Sequence, residues 1–157
     1  MTRQLIELLP QNRISLNELH FLISNNLIIE GVKGGLIIGP SHLEGGISII
    51  MNDSKNDFYT ILEVEGWEYL LNPFSTDKYL VELENINSEY SERLNEFYEY
   101  TLPENISILN CTPKTINGKF FKPVILFGRN AQMIINKVST QRYLDKIDKI
   151  NSEFIQN

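Results

Sequence analysis

At 157 residues the chain is about one domain long, and 42% hydrophobic with 22% charged residues excludes the apolar-poor, charge-rich signature of disorder. Its formal net charge of −6 is uneven: 4 basic against 9 acidic residues lie over positions 1–72, 2 against 8 over 73–104, and 8 against 3 over 105–157. The first two thirds repel nucleic acid and anionic membranes, which bind through clustered Lys and Arg, and attract a basic protein.

Thr2 can cap a short helix through Leu9 that Pro10 ends. Charged groups interrupt these ten residues, so they lack the apolar run of a secretory signal, and no stretch approaches the roughly 20 apolar residues that cross a bilayer. With one cysteine, Cys111, no internal disulfide can form, and a reducing cytoplasm is the expected compartment. Ser15 and Glu18 carry a capping-box pattern, and Leu16, Leu19, Leu22 and Ile23 repeat at helical spacing up to Asn25 and Asn26. His20 on this helix reads as a half-buried packing residue.

A β-rich block follows, with short runs at Leu27–Glu30, Leu36–Gly39, Ile47–Met51, Phe58–Val64 and Trp67–Leu71. The spacers are mostly too short for helical crossovers, so the block reads as an antiparallel meander. Between its strands the loop Ser41–Gly46 gathers Ser41, His42, Glu44 and two glycines. It is neither a P-loop, having Pro40-Ser41 where Lys-Ser/Thr must follow the glycine, nor a nucleophile elbow, having Leu43 where Gly-x-Ser-x-Gly needs its second glycine. His42 could act as a general base oriented by Glu44, although a turn histidine bonded to backbone is the simpler reading. Glu63, Glu65 and Glu68 flank Trp67, a carboxylate pattern of the kind glycoside chemistry uses; as residues of a hairpin they read as a row facing solvent.

After Pro73, Ser75, Thr76 and Asp77 offer N-caps for the longest helix, whose stripe is Tyr79, Leu83, Ile86, Tyr90, Leu94 and Phe97. Its other faces carry Glu82, Glu84, Glu89, Glu92, Glu96 and Glu99, while Asn85, Asn87 and Ser88 can break it and Pro103 ends it. A second β block holds Ile106–Cys111, Thr115–Phe121 around an Asn117-Gly118 type I′ turn, Val124–Phe127 and Gln132–Ile135. Cys111 reads as a small core residue and Lys119–Lys122 as a hairpin strand. Ser139 or Thr140 can cap a last helix with the stripe Tyr143, Ile147, Ile150 and Phe154.

The expected fold is one α+β domain over residues 1–157, a mainly antiparallel sheet from two β-rich blocks packed with about four helices. No cofactor is expected, and no metal, since two histidines and one cysteine would need distant carboxylates to complete a site. The expected function is a small acidic cytoplasmic protein that masks a basic protein partner, for example a bacterial immunity protein bound to its toxin. Glu82, Glu89, Glu92, Glu96 and Glu99 would steer that partner, and Trp67 or Tyr69 would anchor it. The alternative is an enzyme or small-ligand binder using the Ser41–Gly46 loop, with His42 as acid/base and Ser41, Glu44 and Glu63 assisting.

Overall fold

A strand such as Gly-Leu-Ile-Ile has no polar side to turn to water, so it must be covered on both faces, and that requirement sets the architecture. The computed structural model describes residues 12–90 and 97–154. In chain order these form α1 (Leu16–Ser24), β1 (Ile28–Glu30), β2 (Gly35–Ile38), a 3-10 turn (His42–Glu44), β3 (Ile47–Asn52), β4 (Phe58–Val64) and β5 (Tyr69–Leu70). Next come α2 (Pro73–Lys78), α3 (Leu80–Glu89), β6 (Ile108–Asn110), β7 (Lys114–Ile116), β8 (Lys119–Phe121), β9 (Val124–Leu126), β10 (Ile134–Ile135) and α4 (Lys137–Ser152).

The fold is α+β, but the strands form two mixed sheets and a separate hairpin rather than one meander. Sheet 1 runs β1-β9-β3-β4 and sheet 2 runs β10-β5-β2-β6, so each draws strands from both β blocks. β1 pairs with β9, β3 with β9 and β2 with β6 in parallel; the other pairs are antiparallel. The meander fails because β2 is buried on both faces and takes an interior place in sheet 2, leaving β1 to sheet 1.

Consecutive side chains of β2 point to different layers. Ile37 joins Ile47, Ile49, Val64, Leu109 and Ile125 in a cluster between the sheets, while Leu36 joins Tyr69, Leu83, Ile86, Leu144, Ile147 and Ile150 beneath α3 and α4. On the far side of sheet 1, Ile50 packs against Ile14 and Leu19 of the α1 region. The layers are therefore helix, sheet, sheet, helix pair. Truncating a wholly buried side chain such as Ile49 to alanine would cost about 2–5 kcal/mol.

Ser15 caps α1 as its sequence suggests, its Oγ accepting from the Glu18 amide at 3.2 Å. His20 is exposed on that helix, not half-buried. The predicted single helix after Pro73 is two: Asn72, rather than Ser75, Thr76 or Asp77, caps α2, the backbone leaves helical geometry at Tyr79, and Tyr90 is extended. Asn136, rather than Ser139 or Thr140, caps α4. Both capping asparagines have a second role that local spacing does not show. Asn72 N and Nδ2 donate to Asn151 Oδ1 and O at 2.7 Å, and Asn136 N and Nδ2 donate to Asn87 Oδ1 and O at 2.7 Å. Each clamp fastens one helix start to the last turn of another and satisfies backbone groups that a buried helix end would leave orphaned. The Asn117-Gly118 turn has φ of +51° and +80°, the type I′ geometry its sequence predicts. The predicted Thr2–Leu9 helix lies outside the described residues, as do Glu92, Leu94 and Glu96. No helix among the described residues is long and apolar enough to cross a membrane.

Candidate functional site

The Ser41–Gly46 loop closes on itself before it reaches anything else. Ser41 Oγ accepts from Glu44 N at 3.3 Å and Ser41 N donates to Glu44 Oε1 at 3.0 Å, a complete capping box around one 3-10 turn. The Ser41 backbone and then its hydroxyl hold the Glu44 carboxyl below the usual carboxylate range. Ser41 and Glu44 are thus committed to the turn, and Glu44 does not orient His42. Two glycines let the turn meet its neighbours. A Cβ on Gly46, whose φ is +64°, would stand 2.4 Å from the Glu63 side chain, so this glycine gives Glu63 its path across the turn. A Cβ on Gly66 would stand 2.3 Å from the Gly39 carbonyl oxygen, so Glu65-Gly66-Trp67 can press against Gly39-Pro40.

The result is a charge network centred on His42. Nδ1 lies 2.5 Å from Glu63 Oε2, and Nε2 lies 3.2 Å from Glu65 Oε2. Glu65 is 3% exposed; its Oε1 also accepts from Lys137 Nζ at 3.0 Å, and its backbone N–H donates to Glu68 Oε1 at 2.9 Å. Glu68 is 7% exposed. The expectation of a solvent-facing row therefore holds for Glu63 and fails for Glu65 and Glu68, because the turn after β4 folds under the Gly39-Pro40 segment. Donor atoms of His42, Glu65 and Glu68 lie within 4.8 Å of one another. With both ring nitrogens of His42 facing carboxylates, neither is placed to take a proton from Ser41, and the arrangement does not support serine nucleophile chemistry.

Beside the network lies an open cleft of about 460 Å³ lined by Ser41, Glu44, Glu65, Trp67, Phe97, Tyr98, Glu99 and Lys137. Trp67, held at φ +73°, packs against Tyr100 in a tilted contact with ring centroids 4.7 Å apart and approaches Phe97 at 6.0 Å. Lys137 Nζ lies 5.3 Å from the centre of the Phe97 ring, within the range of a cation–π contact. The Asn136 clamp to Asn87 brings Lys137 here, a placement no local motif announces. Tyr98, 74% exposed, and Lys137 are site residues that sequence reasoning missed.

The acidic helix face is partly consumed within the fold. Glu82 Oε1 pairs with Lys146 Nζ at 2.8 Å, and Glu89 accepts from the Tyr143 hydroxyl. Glu99 is exposed at the cleft. Tyr69 is wholly buried, its hydroxyl donating to Asp148 at 2.5 Å, so it offers a partner no surface. Cys111 is wholly buried and burial pushes its thiol up to about 12, so it is a core residue and not a nucleophile. The chain matches no family model, no curated protein and no solved structure.

Proposed function

We propose that this is a small binding protein that masks a basic protein partner, in the manner of an immunity protein neutralising a bacterial toxin, and that it does so through the cleft beside Trp67. One observation carries the reading: carboxylates and aromatic rings line the same cleft. Lys137 Nζ, 3.0 Å from the Glu65 carboxylate and over the Phe97 ring, occupies that pair itself, so the exposed Glu44, Tyr98 and Glu99 are the groups that would meet a partner's lysine or arginine. Glu44 and Glu99 add exposed negative charge at the cleft, and the net charge of −6 favours encounter with a basic surface. The internal pairing of Glu82 and Glu89 shifts the recognition surface from α3 towards this cleft.

The rival reading, an enzyme or ligand site built on His42, draws on the close His42–Glu63 contact alone. The two are separated by capturing partners from the native host and measuring association rates with each purified candidate. In the masking reading the partner is basic, Glu44→Lys with Glu99→Lys slows association at least tenfold at low salt, and high salt mimics the reversal. Tyr98→Ala, at the most exposed ring of the cleft, speeds dissociation. An unchanged association rate in the double reversal overturns the proposal. His42→Ala leaves association unaltered in this reading and abolishes activity in the rival one.

A further inference from the structure

We propose that His42, Glu65 and Glu68 bind a divalent zinc-type metal ion, with Glu63 as the group that orients His42. The inference rests on donor geometry, and the site shares Glu65 with the masking cleft. Two ligands that stand about 2.0–2.2 Å from a metal at tetrahedral or right angles are about 3.0–3.5 Å from each other. His42 Nε2 and Glu65 Oε2 are 3.2 Å apart, and an oxygen of Glu68 completes a trio within 4.8 Å.

The remaining atoms are arranged as such a site requires. Glu63 Oε2 sits on His42 Nδ1 at 2.5 Å, and a carboxylate on the distal ring nitrogen directs the Nε2 lone pair inward, as in carboxylate–histidine–metal sites. Glu65 divides its labour: Oε1 accepts from Lys137 while Oε2 faces the histidine. One imidazole with carboxylate oxygens favours zinc over calcium or magnesium, which take oxygen alone. Three protein donors leave further positions for water or a group entering the cleft, which Glu65 lines. Sequence spacing could not show this site: residues 42, 65 and 68 fall in two loops that meet only because Gly66 lets them.

The test is titration of the full chain with zinc alone, by calorimetry and by competition with a chromogenic chelator, repeated with cobalt to record the visible absorption of a metal held by nitrogen and oxygen. One saturable equivalent is expected. His42→Ala should abolish it, with circular dichroism confirming that the chain stays folded; Glu63→Gln should weaken it by roughly 10- to 100-fold while leaving the cobalt spectrum recognisable. Glu68→Gln should weaken it also, with circular dichroism confirming that this buried substitution has not unfolded the chain. Absence of saturable binding overturns the proposal. So does binding that survives His42→Ala unchanged, which would place zinc on surface carboxylates.

Discussion

Lys137→Met and Glu65→Gln remove opposite ends of one ion pair, and burial makes the two losses unequal. Breaking a buried pair costs about 3–5 kcal/mol when the remaining charge has no other partner. After Lys137→Met, Glu65 keeps His42 at 3.2 Å, and the lost lysine was 26% exposed, which lowers the figure to about 2 kcal/mol. Lys137 is also the first residue of α4, where a cation opposes the helix dipole, so its replacement returns about 0.5 kcal/mol and leaves about 1.5 kcal/mol. Glu65→Gln instead leaves Lys137, which is 26% exposed and can turn its ammonium to water, a loss of about 1 kcal/mol. The double variant leaves no buried charge without its lysine, so its loss should stay near about 1.5 kcal/mol rather than reach the sum of the single losses. Urea unfolding of the four proteins at neutral pH measures the cycle. Additivity within about 0.5 kcal/mol would refute the reasoning, because the pair would then contribute nothing as a pair.

Gly66→Ala places a methyl 2.3 Å from the Gly39 carbonyl oxygen, and the forced shift should cost about 1–3 kcal/mol and change the fluorescence of Trp67, the sole tryptophan; an unaltered midpoint and spectrum would count against the close approach. Cys111, buried with its thiol raised to about 12, should react with a thiol reagent at pH 8 only as fast as the chain opens, so labelling should accelerate in parallel with urea-induced unfolding; rapid labelling of the native protein would contradict this. The Lys78–Glu153 pair ties α2 to the end of α4, and the bonds from Lys78 and then Tyr79 hold the Glu153 carboxyl below its usual 4.5. Its contribution is complete above that value and is lost as pH falls through the lowered one, while Lys78, raised above its usual 10.5 chiefly by Glu153, loses its share as pH rises past the raised value. The stability difference between wild type and Lys78→Met should therefore shrink below pH 4.5, and a difference that stays constant down to pH 2 would refute the linkage.

Local chemistry is what the amino-acid sequence by itself determined here. Ser15 caps α1, Asn117-Gly118 turns the β7–β8 hairpin, and Phe58–Val64 is strand end to end, because each depends on the φ/ψ and hydrogen-bonding preferences of neighbouring residues. Periodicity also identified much of the core, since Leu83, Ile86, Ile147 and Ile150 fall on buried helix faces. Tertiary structure alone decided the partition of strands into two sheets, because a strand buried on both faces gives no pattern that names its neighbours. It also chose Asn72 and Asn136 as caps, since only across helices could each find the carbonyls of Asn151 and Asn87. The candidate site divides in the same way. His42 and Glu63 stood out by residue type, but the burial of Glu65 and Glu68 and the arrival of Lys137 needed the Gly66 turn and the α4 start to be in place. Charge on a side chain is legible in the sequence; whether water or another charge stands beside it is settled by what packs over it.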